Sequence, residues 1–490
     1  MRKLPTRILS LLAVAALAAG AVAPVIGAEK EEKPQKESRD VKTAKQLHVQ
    51  FTMQMGVHDD LILQDYVQRV GEKLARVSER PELEWKFTIV DTDDVNAFAT
   101  LGGYVYISRG ILPYFQNEAE LAAVLGHEIG HITAEHLKSR QRKTALSGIA
   151  SAATAIFTGM PQLAELTNMA GAALISGYGR DAELEADRLG AKYHALAGFE
   201  PTAMIDVIST LKDQDTFERE RARLEHREPR LYHGVFASHP DNDTRLQQAI
   251  STADRTSGSA TGDTENTEGF MRAIEGLPVG SSARQGMVRD NRFYHSDMQF
   301  TLAFPRGWQV INEPQQLLAV GPNREHVMEI RTQGPPADLT DPRDFAMRGL
   351  ANRRLDRAET LDINGLKAWT AIVRGDASPF GQSTNVRYVI IYYNSLMWVF
   401  KGASRTGTAA PSGDSFFLST ARTFRRLRGN EFSLAEPHRL HVVRATEDTT
   451  IESLAAKAEL KKYPEQQLRL FNDLYPKGEP EPGDLIKTVR

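Results

Sequence analysis

Five consecutive residues, His127-Glu128-Ile129-Gly130-His131, carry the strongest chemical signal in the sequence. They form the pattern H-E-x-x-H inside a segment that we expect to be helical. Residues four apart lie one turn apart on the same helix face, so both imidazoles can reach one metal ion. Glu128 is expected to stand beside that metal as a general base on a water that the metal holds. The pattern therefore predicts a hydrolytic zinc site.

The segment around the motif has its own helix signals. Asn117 can serve as the N-cap, and Glu120 three residues later completes a capping box. No proline interrupts residues 117–140, so we expect one helix over that range. Taken alone, the five residues also fit two surface histidines on an ordinary amphipathic helix. The apolar residues that recur at helical spacing are Leu121, Val124, Leu125, Ile129 and Ile132.

A second charged segment can complete the metal site, because a catalytic zinc usually takes three protein ligands and a water. Residues 180–188 read R-D-A-E-L-E-A-D-R, which predicts another helix with Glu183 and Asp187 on one side. We assign Glu183 as the third ligand and Asp187 as the carboxylate that orients a ligand histidine. Glu185 points elsewhere on this helix and is the less favoured ligand. A solvated charged face is the alternative interpretation.

H-E-x-x-H followed by E-x-E-A-D resembles the gluzincin peptidases of the HtpX and BepA type, relatives of the CAAX prenyl protease. Residues 96–110 resemble the strand beside the active site in that family, with Leu101 where the family usually has proline. Ser238-His239-Pro240 with Arg245 matches the family element H-P-x-x-x-x-R. Residues 61–75 resemble the family's first amphipathic helix. The resemblance covers about residues 45–250 and implies a mainly helical zincin-type peptidase domain.

The metal chemistry and the resemblance together suggest a role for each residue. His127, His131 and Glu183 would hold one Zn²⁺ and leave one position for water. His239 or Arg245 is the candidate donor to the oxyanion of the tetrahedral intermediate. His239 has two alternatives, a reversible fourth ligand that silences the resting site and a surface His-Pro turn.

Substrate binding is expected on the segment before the motif helix. The strand Tyr104–Ser108 is rich in β-formers, and we expect it to offer an edge for an extended peptide. The residues that we assign to substrate binding are Asn96, Ala97, Phe98, Gly102 and Gly103. His136 follows His131 by five residues rather than the six of the metzincin pattern, so we interpret it as a packing or surface histidine.

Composition limits the class of protein. At 490 residues the chain should divide into about three domains. Its formal net charge of −3 and the lack of a long basic stripe argue against nucleic acid as a partner. The sequence has no cysteine, which excludes a lipobox anchor, a disulfide framework and cysteine chemistry.

Two apolar segments, one at the N-terminus and one over residues 144–179, bear on whether the protein is exported and whether it spans a membrane. Arg2, Lys3 and Arg7 precede an apolar run to about Ile26, which predicts a secretory signal peptide over residues 1–28. An uncleaved anchor is the alternative. Residues 144–179 are rich in alanine and glycine, but Pro161 and Glu165 interrupt them. We expect small-residue helices or a cover over the cleft there, with a membrane-spanning pair as the alternative.

The remaining chain predicts a multidomain α+β protein, with a peptidase domain over 29–250, a linker over 251–290 and an accessory domain over 291–430. Asn364-Gly365 predicts one hairpin, and Tyr393-Asn394-Ser395 predicts another. Helices are expected from Asp341-Pro342 and over about residues 414–425. An antiparallel sheet with packed helices follows. Phe300-Thr301-Leu302-Ala303-Phe304 runs into the turn Pro305-Arg306-Gly307-Trp308. This element gives a weak resemblance to the PsbP/Mog1-like fold, with a binding or scaffolding role.

Residues 436–490 predict a small β-α-α-β module. The elements N-x-L at Asn472 and P-G-D at 482–484 resemble a LysM domain, which implies binding of N-acetylglucosamine-containing glycans such as peptidoglycan. Glu447-Asp448-Thr449 stands where LysM domains commonly have G-D-T. A retained fold without glycan binding therefore stays an equal alternative.

These observations together predict an exported, periplasmic zinc endopeptidase, with Glu128 as general base and one Zn²⁺ per chain. The resemblance implies misfolded envelope proteins as substrates, in protein quality control. Two other classes stay open. One is a non-catalytic adaptor or chaperone tethered to peptidoglycan, and the other is a metalloenzyme that cleaves the cell wall. We find no helical repeat of the kind that BepA-type relatives carry.

Overall fold

The computed structural model describes residues 39–140, 178–200, 202–226, 229, 265–313, 316–381, 383–405 and 413–490. The described residues from 39 onward belong to one compact unit. The predicted signal sequence, the stretch from 144 to 177 and the S-H-P element with Arg245 lie outside the described residues. In the described part of the chain, no helix is both long enough and apolar enough to cross a membrane.

The N-terminal region, residues 39–274, combines helices with a small sheet. The sheet contains β1 (Lys86–Val90), β2 (Ala97–Ala99) and β3 (Tyr104–Ser108) in the order β1-β3-β2. β3 pairs in parallel with β1 and antiparallel with β2. The helices described in this region are α1 (Arg39–Met55), α2 (Leu61–Ala75), α3 (Glu118–Thr133), α4 (Arg180–Leu196), α5 (Ala203–Leu224) and α6 (Thr267–Ile274).

We expected Tyr104–Ser108 to offer a free strand edge to a peptide. This prediction is wrong, because β3 is the central strand and pairs with β1 on one side and with β2 on the other. All five of its residues are buried. β2 is instead the outer strand of this sheet, and no further strand pairs with it among the described residues. Alternation and β-propensity predicted a strand correctly but could not tell which strand of the sheet would be the outer one.

The motif helix α3 begins as expected and ends earlier. The side-chain oxygen of Asn117 accepts the backbone N–H of Glu120 at 2.9 Å, as an N-cap should. The Glu120 carboxylate accepts the N–H of Gln116 at 3.0 Å. The predicted helix over 117–140 is wrong after Thr133, since Glu135 adopts a left-handed conformation with φ of 53°. Residues 136–140 then form a separate helical turn.

The sheet region, residues 287–426, contains a seven-stranded sheet and a four-stranded sheet. Both predicted hairpins form, one between Ile363 and Leu366 and one between Tyr393 and Leu396. The two predicted helices are α7 (Pro342–Gly349), capped by Asp341, and α8 (Asp414–Arg422). The strands are β5 (Met287–Arg289), β6 (Arg292–His295), β7 (Phe300–Ala303), β8 (Gln309–Glu313), β9 (Gln316–Val320), β10 (His326–Gln333), β11 (Leu355–Ile363), β12 (Leu366–Ala377), β13 (Ser383–Tyr393), β14 (Leu396–Ser404) and β15 (Arg425–Arg426). The order of the seven-stranded sheet is β11-β12-β13-β14-β10-β9-β8, and that of the four-stranded sheet is β15-β7-β6-β5.

The C-terminal module, residues 436–490, has the predicted β-α-α-β order. Its elements are β16 (His438–Arg444), α10 (Ile451–Ala455), α11 (Pro464–Phe471) and β17 (Leu485–Val489), and a short helix α9 (Glu431–Ala435) precedes them. Asn472 joins α11 to β17, because its side chain accepts the N–H of Lys487 at 2.7 Å and donates to the carbonyl of that residue at 2.9 Å.

The prediction of a linker over 251–290 is wrong for its second half. α6 buries Phe270, Met271 and Ile274 in the core of the N-terminal region. A short strand, β4 (Pro278–Val279), then pairs with β16. Leu440, Phe471 and Val489 of the C-terminal module belong to the same buried apolar cluster as Leu121 and Leu125 of α3. The module is therefore built onto the motif helix rather than held apart by a linker.

Candidate metal centre

The approach of α3 and α4 depends on glycines at their contact. A Cβ atom on Gly190 would lie 2.9 Å from the backbone nitrogen of His127 and 3.0 Å from the carbonyl carbon of Gly126. A Cβ atom on Gly130 would lie 2.8 Å from the carbonyl oxygen of Ala186. Real Cβ atoms do not come this close to backbone, so only glycine permits this spacing. The contact brings Glu183 on α4 to the side of α3 that carries the two histidines.

Three ligand atoms converge where the two helices meet. The Nε2 atoms of His127 and His131 lie 3.0 Å apart. The Glu183 carboxylate lies 3.5 Å from Nε2 of His127 and 3.7 Å from Nε2 of His131. Tetrahedral zinc with bonds of about 2.0–2.2 Å separates its ligand atoms by about 3.3 Å. The three residues are 3%, 2% and 0% exposed, and this donor set could bind one metal ion.

Asp187 contacts one of these histidines from behind. Its Oδ1 lies 2.7 Å from Nδ1 of His127, on the side of the ring away from Glu183. A carboxylate accepts the Nδ1–H, which leaves the lone pair on Nε2 facing the cluster. The geometry is the one that the role assigned to Asp187 requires. That role remains our assignment.

Of the two interpretations of His136, the surface one is wrong and the packing one is confirmed, since the residue is buried, packs against His131 and lies outside the ligand cluster. It is nevertheless closer to the site than the spacing argument allowed. Its Nδ1 lies 2.9 Å from Nδ1 of His131, and its Nε2 lies 3.3 Å from Oε2 of Glu185. The spacing argument assumed a continuous helix to residue 140, whereas the left-handed residue Glu135 turns the chain and returns His136 to His131. No glycine or proline marks this turn, so the sequence carried no signal for it.

Tyr178 and Glu128 complete the surroundings of the cluster. The Tyr178 ring stacks on the His131 imidazole, with centroids 4.0 Å apart and planes 17° from parallel. Burial raises the pKa of Tyr178, and the nearby carboxylates of Glu128 and Glu183 raise it further, so its phenol stays protonated. Glu128 is 1% exposed and follows a ligand histidine directly. Sequence reasoning missed Tyr178, which no motif spacing singled out.

The residues assigned to substrate binding lie together before α3. Asn96, Ala97 and Phe98 lead into and along β2, and Gly102 and Gly103 form the turn to β3 with φ of 76° and 94°. The backbone of Asn96 is held by Ser108, which accepts its N–H through Oγ at 3.0 Å. His239 and Arg245 lie outside the described residues, so their assigned roles remain predictions.

Comparison with known proteins gives one family match, over residues 62–253, to the family described as Peptidase family M48. The Beta-barrel assembly-enhancing protease of Escherichia coli strain K12 is 27% identical over 269 residues, which cover 49% of this chain and 51% of that protein. The protein of the same name in Yersinia pestis is 28% identical over 208 residues, which cover 41% and 40%. The chain thus matches about half or less of the length of these relatives.

Another relative is the Mitochondrial metalloendopeptidase OMA1 of Schizosaccharomyces pombe, which is 35% identical over 139 residues that cover 28% of this chain and 41% of that protein. Among solved structures, PsbP from the cyanobacterium Synechocystis covers 29% of this chain and 96% of its own, at 16% identity and a TM-score of 0.23. A TM-score this low carries no argument about shared fold. The PsbP/Mog1-like assignment therefore stays a prediction.

Proposed function

We propose that the chain is a zinc-dependent endopeptidase of the bacterial envelope, because residues 62–253 match the model of Peptidase family M48. Members of this family are zinc-dependent metallopeptidases. The observation that carries the proposal is the buried cluster of His127, His131 and Glu183, whose three ligand atoms lie within 4.8 Å of one another. The single metal-ligating cluster found among the described residues thus coincides with the family motif.

The ligand set supports separate catalytic and positioning roles for the residues around it. When bound, zinc would supply a Lewis acid that polarises the scissile carbonyl and lowers the pKa of water. Glu128 adjoins the ligand His127, accepts the proton of the attacking water and passes it to the leaving amine. Asp187 holds His127 in the tautomer that ligates through Nε2. We keep His239 and Arg245 as the proposed donors to the oxyanion.

The outer strand β2 supports a mode of substrate binding that depends on the peptide backbone. β2 follows Asn96 and packs close to α3, and its outer edge pairs with no strand in the described part of the chain. An extended polypeptide could add to this edge as a further strand, which would align its backbone near the metal cluster. Recognition of this kind selects for unfolded segments rather than for sequence, which fits misfolded envelope proteins as the substrates.

The proposed location is the periplasm, and the support is the basic and then apolar N-terminal sequence together with relatives named as beta-barrel assembly-enhancing proteases. Binding of peptidoglycan by the C-terminal module remains a separate proposal that rests on its LysM-like motifs. Neither proposal affects the chemistry assigned to the metal cluster.

The test combines metal content with cleavage. Zinc is measured by mass spectrometry in the purified chain and in Glu183→Ala, and casein cleavage is measured for the chain and for Glu128→Gln. We expect about one zinc per chain, lost in Glu183→Ala, and a fall in kcat of about 10²-fold or more in Glu128→Gln with zinc retained. An adaptor would keep its cellular role with Glu128→Gln. A wall-cleaving enzyme would act on purified peptidoglycan and leave casein intact.

A further inference from the structure

We propose that His136 is a positioning residue for the ligand His131, and that Glu185 fixes the proton arrangement that lets it act. The inference rests on the proposed zinc site. His136 lies outside both motifs, whereas Glu185 is the second glutamate of E-x-E-A-D. Its starting point is an asymmetry in the cluster. The carboxylate of Asp187 lies behind His127, whereas the group behind His131 is another imidazole.

The backbone between the two histidines is shaped for this contact. α3 ends at Thr133, and Glu135 takes a left-handed φ of 53°, which is unfavourable for a residue with a Cβ atom. Two side-chain contacts hold Glu135, one with Lys138 at 2.7 Å and one with Arg80 at 3.8 Å. In an uninterrupted helix, a residue five positions after His131 would point away from it. The left-handed turn is therefore what places His136 against His131.

The hydrogen bonds of His136 fix which ring nitrogen carries the proton. The Glu185 carboxylate only accepts, so Nε2 of His136 donates to it across 3.3 Å. A neutral His136 then has its lone pair on Nδ1, which accepts the Nδ1–H of His131 across 2.9 Å. His131 in that tautomer has its own lone pair on Nε2, the atom that faces His127 and Glu183. The relay from Glu185 through His136 thus prepares His131 to bind metal.

Because both histidines are buried, water cannot take over the role of His136 as hydrogen-bond acceptor for His131. His131 is 2% exposed and His136 is 8% exposed, so water cannot readily replace the lost acceptor. The Tyr178 ring covers one face of His131 and limits its tilt, but stacking does not select a tautomer. A hydrogen-bond acceptor at the position of the His136 Nδ1 atom is therefore the feature to test.

Leucine and asparagine at position 136 form a matched pair, because they share size and branching while only asparagine offers an acceptor near the Nδ1 position. The purified full chain is freed of metal and titrated with Zn²⁺ against a chromophoric chelator. We expect His136→Leu to weaken zinc affinity by about 10–100-fold and His136→Asn to stay within about threefold of the unmodified chain. We also expect the absorption bands of bound Co²⁺ to shift in His136→Leu and not in His136→Asn.

Equal zinc affinities for the two variants, whether unchanged or equally weakened, would overturn the positioning role while leaving the zinc site intact. Failure of the unmodified chain to bind zinc would instead overturn the proposed function and this inference with it. If His136→Leu does not fold, Glu185 provides the second comparison, since its side chain is 49% exposed. Glu185→Leu should then weaken zinc binding and Glu185→Gln should not, and equal affinities would contradict the relay.

Discussion

Asp187 on α4 contacts His127 on α3, with Oδ1 of the carboxylate 2.7 Å from Nδ1 of the imidazole. Both side chains are buried, so no solvent molecule can easily take the place of the carboxylate. We predict that Asp187→Ala accelerates zinc loss to a chelator and weakens zinc affinity by about 10–100-fold. Asp187→Asn keeps an acceptor oxygen, so its zinc affinity should lie between that of the unmodified chain and that of Asp187→Ala. Equal rates of zinc loss for all three proteins would contradict the assignment.

Gly190 sets the distance between α3 and α4. An alanine there would bring its Cβ against the backbone of Gly126 and His127, which cannot yield without moving one of the helices. We predict that Gly190→Ala lowers the free energy of unfolding by about 1–3 kcal/mol and also weakens zinc binding, because Glu183 moves with α4. Urea unfolding and zinc titration measure the two effects. Gly334→Ala is the matched control, since a Cβ there contacts nothing within 4 Å.

Much of the site could be predicted from sequence because its parts obey helical spacing. Four-residue spacing put His127 and His131 on one face, and the same rule put Glu183 and Asp187 on another helix. The M48 match over residues 62–253 confirms the predicted resemblance to peptidases of the HtpX and BepA type for that segment. Export, glycan binding and the domain boundaries other than the end of the linker were not tested by any comparison and stay predictions.

The features that sequence reasoning missed depend on contacts between distant residues or on backbone that its composition does not signal. His136 returns to His131 only through a left-handed glutamate. The strand at Tyr104–Ser108 became central because two other strands pair with it. The C-terminal module shares a core with α3 through Leu440 and Phe471, more than 300 residues away along the chain. Local periodicity contains no information about such partners.

Removing the metal should lower stability as well as activity. The His127 and His131 Nε2 atoms and the Glu183 carboxylate lie close together and buried, so a bound zinc would stabilise the folded chain. A ligand that binds only the folded state stabilises it by about 4 kcal/mol when its free concentration exceeds Kd about a thousandfold. We therefore predict a lower melting temperature in chelator, restored by added zinc. Glu183→Ala is the control and should melt at the same temperature with and without zinc.

Lys487 of the C-terminal module lies fully buried against the start of α3. Its ammonium donates to the carbonyl of Phe115 at 2.6 Å and to the side-chain oxygen of Gln116 at 2.8 Å. Burial lowers the pKa of Lys487, and the neighbouring charges of Glu120 and Asp473 oppose that change. We predict that Lys487→Met destabilises the chain by about 1–3 kcal/mol, because the Phe115 carbonyl and the Gln116 side-chain oxygen then lose the donor that they accept from.

The same substitution should make stability depend on pH in a definite direction. Burial already raises the pKa of Glu120, and the negative charges of Asp206 and Asp473 raise it as well. The Lys487 charge lowers this pKa, so its loss should raise the pKa of Glu120 further. A carboxyl group with a raised pKa in the folded state favours folding at low pH, and that stability is lost as pH rises. Lys487→Met should therefore be less stable at pH 8 than at pH 5 in urea unfolding. The double variant Lys487→Met with Glu120→Gln should lose this added pH dependence, and an unchanged slope in it would show that another group is responsible.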